Sequence, residues 1–169
     1  MLPLGHIGIT IGVVHAVNRK VDLRKVAVLA IAPDLLDKPL GLLFPKIFFN
    51  HTHIFGHSLL FSIAILIGFF YFRKQLVFPF LLWASYFGHM ALDRIWKFTP
   101  HTFLWPFLGQ VPPEQFTALE RWKIGLFNSY NLIGELIGLS VIIFLAWYYK
   151  LYTLKNFKTF IKSGIARLR

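Results

Sequence analysis

Seven acidic or imidazole side chains recur at the same end of successive apolar runs if those runs alternate direction: His6, Asp34, Asp37, His57, His89, Asp93 and Glu135. His6 opens the first run. Asp34 and Asp37 close the second, His57 opens the third, His89 and Asp93 close the fourth, and Glu135 opens the last. In an up-and-down helical bundle such positions share one level. Ionisable groups at membrane depth are costly and mark functional sites by default. Histidine with carboxylate, in a chain of zero cysteines, suits a hard or borderline ion such as zinc or manganese.

The spacings refine this set. His89 and Asp93 are four apart, so a helix points both the same way, one turn apart. That pair can bind one ion or form an interhelical hydrogen bond. Asp34 and Asp37 share a helical face, where like charges repel unless a cation lies between them. Helix capping by Asp34 and pairing of Asp37 with Lys38 answer the same spacing without a metal. His51, His53 and His57 crowd one short stretch. A lone histidine at a helix start reads as a satisfied polar group, but three so close point to a site, with His51 and His53 as supporting or substrate contacts. Glu135 lies about one turn inside its run, where a carboxylate needs a metal, an arginine or a proton. With Asp37 it is a candidate general base. Arg94 and Arg121 are candidate clamps for an anionic headgroup or phosphate, with interfacial anchoring as the plainer role. His15 falls at the opposite end of its run and reads as structural.

Composition sets the frame for these residues. The chain of 169 residues is 56% hydrophobic and 15% charged, against roughly a quarter charged in soluble domains. Nineteen Phe, five Trp and six Tyr suit a lipid-facing and interfacial surface. The absence of cysteine excludes disulfides and thiolate sites. The net charge of +11 sits at run ends and in the tail, a pattern of topology signal and anionic-lipid attraction rather than nucleic-acid binding. No cleavable signal peptide or lipidation motif is evident.

Three runs have near-spanning length: Ile54–Phe72, Leu76–Asp93 and Leu132–Tyr149. Leu4–Val17 and Val26–Leu36 are shorter, with Pro33 ending the second. The fold class expected is all-α, a polytopic membrane bundle of about five embedded helices. Residues 1–150 form the membrane-embedded domain with the metal site, and 151–169 a basic amphipathic tail. Arg94–Ser129 reads as an ordered loop with short surface helices. In the tail, Leu154, Phe157, Phe160, Ile161 and Ile165 recur at helical spacing with lysines between them, which predicts a surface-lying helix rather than a further span. The eighteen Lys and Arg divide twelve to six between the two sides of such a bundle. The richer side carries Arg19, Lys20, Arg24, Lys25, Arg73, Lys74 and the tail. The positive-inside rule places that side and the C-terminus in the cytoplasm, and the His and Asp level outward.

The order of motifs is that of a known family. Gly5-His6, Pro33-Asp34-Leu-Leu-Asp37-Lys-Pro, Gly56-His57-Ser58-Leu, His89-x-x-x-Asp93 and Leu104-Trp105-Pro106 resemble the YdjM-type family of inner-membrane proteins. Its members are described as metal-dependent hydrolases, some as LexA-binding. The family is distantly similar to zinc-dependent phospholipases C and zinc nucleases, all-helical proteins with multinuclear zinc sites. The resemblance covers about residues 4 to 138. It implies metal-ligand roles for His6, Asp34, Asp37, His57, His89 and Asp93, and for Glu135 by extension. It also implies zinc at such a site, and with the donor chemistry above the expected cofactor is one to three divalent ions, zinc first and manganese second. The family's usual Pro-Asp-x-Asp has an extra residue here, and its His-Arg-x-x-Thr-His-Ser reads His51-Thr-His-Ile-Phe-Gly-His57-Ser.

These readings converge on a membrane-bound hydrolase using metal-activated water on a lipid-like phosphoester, with membrane lipid as its surroundings. The rival is a non-enzymatic interaction or assembly protein whose His and Asp residues hydrogen-bond between helices. Transport would need ionisable groups through the bundle. The middles of the three long runs hold only Ser62, Ser85 and Ser140 as polar side chains.

Overall fold

The computed structural model describes residues 1–72 and 77–167. Arg73, Lys74, Leu76 and Arg169, which enter the charge asymmetry or the fourth run, lie outside the described residues. The described secondary structure is entirely helical. Five helices form the body: α1 (Pro3–Val17), α2 (Leu23–Leu43), α3 (Leu59–Phe72), α4 (Val77–Leu92) and, after three short ones, α8 (Ser129–Tyr148). Between α4 and α8 lie α5 (Ile95–Phe98), α6 (Pro100–Phe103) and α7 (Ala118–Leu126), and α9 (Leu154–Ser163) follows.

Helix α1 is central, packed on α8, α2 and α4, with α3 against α4. Its seam with α8 is built from glycines. A Cβ on Gly8 would stand 2.0 Å from the Gly138 carbonyl oxygen, and one on Gly138 would stand 2.2 Å from that of Leu4. The Gly134-x-x-x-Gly138 step thus lets two backbones touch, the way apolar helices associate where burial in water supplies no drive. At the start of this seam Glu135 accepts from the Leu4 and Gly5 amides, at 3.1 and 2.7 Å. It satisfies two of the orphan N–H groups at the head of α1.

The five body helices alternate in direction, and the bundle has two unlike ends. One is apolar inside, with Val14, Val21, Leu23, Val26, Leu81, Tyr149 and Ala166 in one buried cluster. His15 Nε2 meets the Tyr149 hydroxyl there at 2.8 Å. The other end collects His6, Asp34, Asp37, His57, His89 and Asp93.

Two boundaries differ from the sequence reading. Helix α2 runs through Pro33 and Pro39 to Leu43, so Pro33 does not end it. A proline removes one i→i−4 bond and crowds the preceding turn, a cost of roughly 3 kcal/mol that tertiary packing here overrides. The third run is not helical from Ile54. Phe55–His57 forms a 3-10 turn, and α3 begins at Leu59. The turn is held by Asp37, as described below.

Among the described helices, α8 alone is both long and apolar enough to cross a membrane. Helices α1, α3 and α4 are apolar but of 15, 14 and 16 residues, about 21–24 Å at 1.5 Å per residue. That is short of the roughly 30 Å hydrocarbon core. Helix α2 has the length, at 21 residues, but carries Arg24, Lys25, Asp34, Asp37 and Lys38.

Candidate metal centre

Four donors from three elements converge at the polar end. Asp34 comes from α2, His57 from the 3-10 turn, His89 from α4 and Asp93 from the residue just after it. One ligand atom from each lies within 4.8 Å of all the others. Asp34 is 8% exposed, and His57 and His89 are fully buried.

The two imidazoles are aimed from behind. His57 Nδ1–H donates to Asp37 Oδ2 at 2.7 Å. His89 Nδ1–H donates to the Ala30 carbonyl at 2.8 Å. A carbonyl can only accept, so the proton of neutral His89 sits on Nδ1. Both Nε2 atoms are thereby turned inward, 3.2 Å apart. Asp34 Oδ1 stands 3.6 Å from each of them, and Asp93 Oδ2 stands 3.3 Å from His89 Nε2. Asp34 Oδ1 has no hydrogen-bond partner although it is buried.

This donor set fits a divalent ion. Two nitrogens on one tetrahedral zinc, each at about 2.0–2.1 Å, stand about 3.3–3.4 Å apart. The observed spacing of 3.2 Å is close to that edge. Two neutral imidazoles presenting lone pairs to each other at this distance repel unless a cation or a proton lies between them. Cations already touch the rim. Lys38 Nζ is 2.5 Å from Asp34 Oδ2, and the Met1 amino group contacts Asp93 Oδ1.

The remaining sequence candidates distribute themselves around this core. His6 is fully buried and stacks on His89, centroids 3.8 Å apart. Its Nε2 lies 3.1 Å from Asp93 Oδ1 but off hydrogen-bond geometry, so both its nitrogens lack a hydrogen-bond partner. His6 therefore flanks the four-donor cluster through Asp93. Asp37 is placed one layer behind. Besides the His57 imidazole, its carboxylate accepts the amides of Ile54, Gly56 and His57 at 2.7, 3.0 and 3.1 Å. It is fully occupied as an orienting group, and the spacing of three from Asp34 does not bring both carboxylates to one ion. Gly56 sits against it, where a Cβ would lie 3.0 Å from Asp37 Oδ1. A side chain at this position would press on the Asp37 carboxylate.

Glu135 is not in the cluster. Its carboxylate caps α1, as described above. Arg94 is turned away too, with its guanidinium over the Tyr130 ring at 4.0 Å. Arg121 and His53 both line a cavity of about 520 Å³ that also takes in Asp93 and Lys38. The Arg121 guanidinium pairs with Glu114. The His53 ring stands edge-on to His57 at 4.4 Å, and burial pushes its pKa well below the ordinary imidazole value, so it is neutral at neutral pH. Apolar Leu42, Ile95, Phe98 and Leu119 complete much of the wall.

Two contributors escaped the sequence reading. The Ala30 carbonyl has no side-chain signal at all. Tyr86, whose hydroxyl donates to the Gly56 carbonyl behind His57, reads as one more aromatic in an apolar run.

No curated protein and no solved structure shows a significant match to the chain. A family model described as YdjM inner membrane protein matches residues 1–157. That span holds every residue of the cluster and all five body helices, and the chain belongs to the YdjM inner membrane protein family.

Proposed function

We propose that this chain is a membrane-bound, metal-dependent hydrolase of a phosphoester in a lipid-like substrate. One observation carries the reading: two Nδ1-anchored imidazoles present Nε2 to each other beside an unpartnered buried carboxylate oxygen. Asp34, His57, His89 and Asp93 would hold one ion, zinc or manganese. His6 and the Oδ1 of Asp93 supply donors for a second. Bound there, such an ion supplies a lowered water pKa and Lewis-acid polarisation of a phosphoryl oxygen.

The chain's own residues do the rest. Asp37 fixes the tautomer and direction of His57, as carboxylates behind ligating histidines do. Lys38 and Arg121 lie on the cavity wall, paired with Asp34 and Glu114, and would exchange those partners for an anionic headgroup. The apolar wall suits the attached chain. Asp37 and Glu135 are both occupied and neither lines the cavity, so the candidate proton acceptor is His53, which lines it and holds no ion. A membrane location, as the family description gives it, would suit a substrate of this kind. We further propose that the body helices form a multi-pass bundle, the site facing outward and the C-terminus in the cytoplasm, from the charge asymmetry. In a Cys-free chain, Gln115→Cys should then label with an impermeant maleimide in intact cells and Lys162→Cys should not. The reverse pattern would invert the orientation.

A second reading has an observation of its own. The Met1 amine and Lys38 already contact Asp93 and Asp34, so a proton between His57 and His89 would complete a metal-free structural network in an assembly protein. Turnover separates the two. Purified protein supplied with zinc or manganese should cleave a short-chain phospholipid, and His89→Ala should not. Absence of turnover on phospholipid and simple phosphoesters, in protein shown to hold metal, would remove the hydrolase reading.

A further inference from the structure

We infer that α9 is a binding surface for anionic phospholipid headgroups, with Lys155, Lys158 and Lys162 as the contact row. The inference rests on the end of the bundle opposite the metal centre and is independent of any hydrolase activity. The three lysines are three and four residues apart, so at 3.6 residues per turn they fall within a sector of about 60°. All three are exposed, and among the described residues none pairs with an acid. Beside that row runs an apolar strip. Leu154, Phe157 and Ile161 are 68%, 48% and 50% exposed.

The opposite face of α9 is the one turned to the protein. Phe160 packs on the buried cluster around Val14 and Tyr149. Asn156 Nδ2 donates to the Tyr149 and Lys150 carbonyls, both at 3.3 Å. The helix is fastened at its far end as well. Gly164, at φ 71°, ends it in the left-handed region. Its carbonyl accepts from Leu23 N at 2.8 Å, and Arg24 Nη1 donates to the Ile161 carbonyl. Ala166 is then buried at 4% exposure. A Cβ on Gly164 would fall 1.8 Å from Asp22 Oδ1. The helix is therefore held in one orientation, with the strip and the lysine row both outward.

The occupant follows from charge. The same end carries Arg19, Lys20 and Lys25, and Asp22, the acid there, is engaged by Arg24. An apolar strip bordered by cations, on a chain of an inner-membrane family, matches the boundary between acyl chains and negative headgroups. The lysine stems extend along that boundary and keep their ammonium groups in water.

The test uses the full-length, detergent-purified protein with Tyr152→Cys, an exposed position, carrying an environment-sensitive dye. The probes are short-chain phosphatidylglycerol, short-chain phosphatidylcholine and inorganic phosphate. We expect saturable, salt-weakened binding of phosphatidylglycerol and little response to the other two. At roughly fivefold per lysine, Lys155→Gln with Lys158→Gln and Lys162→Gln should weaken it on the order of a hundredfold. The triple arginine variant should retain it, and melting temperatures should match, because these side chains hold nothing in the fold. Phe157→Ser should also weaken phosphatidylglycerol, by removing part of the apolar strip. Equal binding of phosphatidylcholine, equal binding of phosphate, or a triple glutamine variant that binds like wild type would each overturn the inference.

Discussion

His57 Nε2 and His89 Nε2 face each other at 3.2 Å while the Nδ1 of each is committed to an acceptor behind it. Two helical elements far apart in sequence, α4 and the turn before α3, are thus locked in an arrangement that is unfavourable until a positive charge joins it. Whether that charge is a divalent ion or a proton decides what the site is for.

Asp37 offers the first discrimination. Asp37→Asn keeps the volume but sets an amide where a carboxylate receives four N–H groups, so His57 loses its fixed tautomer. Zinc affinity, measured by competition with a chromogenic chelator, should fall about 10- to 100-fold, the usual effect of removing a group that orients a ligand. Unchanged affinity would mean that His57 does not ligate through Nε2.

Thermal melting reads the same centre through the fold. Ligand that binds only the folded chain adds about 2.7 kcal/mol at a hundredfold excess over Kd. Chelator should lower Tm at neutral pH, zinc or manganese should restore it, and Asp93→Asn should remove most of the response. Acidification should release the ion, since protons compete for imidazole and carboxylate. Curves that overlay with and without chelator, once the metal has been shown to be removable, would favour the metal-free network.

The α1–α8 seam should be the least forgiving part of the body. Gly138→Val must displace the Leu4 backbone and should cost about 1–3 kcal/mol or more, the range for overpacking. Gly68→Ala, where a Cβ meets nothing within 4 Å, should be neutral or stabilise by up to about 1 kcal/mol through helix propensity. Similar melting temperatures for the two variants would contradict the packing described.

The attachment of α9 should depend on acid. The hydrogen bond from the Arg24 side chain holds the Asp22 carboxyl below its ordinary pKa. A depressed folded-state value means a contribution that is complete above the unfolded value of about 3.9 and is lost as pH falls through the folded one. Protection of the Leu23 amide, which donates to Gly164, taken relative to an unstructured amide at the same pH, should fall over that acidic range. In Asp22→Asn it should be low throughout, with no further step there. A step of equal size in both would assign the effect elsewhere.

Much of the centre was legible because its donors are chemically conspicuous. His and Asp are costly in apolar runs, and the alternation of run ends puts His6, Asp34, His57, His89 and Asp93 at one level without any coordinates. What spacing could not say is which carboxylate points where. Asp34 and Asp37 share a helical face, yet the backbone of residues 54–57 turns over Asp37 and saturates it, a contact between segments that no periodicity encodes. Glu135 shows the same limit, since its value lies in two amides on another helix. The continuation of α2 past Pro33 was hidden because local breaking signals are outweighed by packing of α2 on α1 and α4. The glycines of the α1–α8 seam were passed over in the sequence, because only the packed backbones show which helix they meet.

The most direct test of a metal centre is elemental analysis of the detergent-purified protein grown with ample zinc and manganese, beside His89→Ala and Asp34→Asn prepared identically. At least one divalent ion per chain in the wild type, falling close to zero in both variants, is the predicted result. Negligible metal in all three, in protein that is folded and monodisperse, would contradict a metal centre and leave the buried histidines as a proton-sharing structural pair.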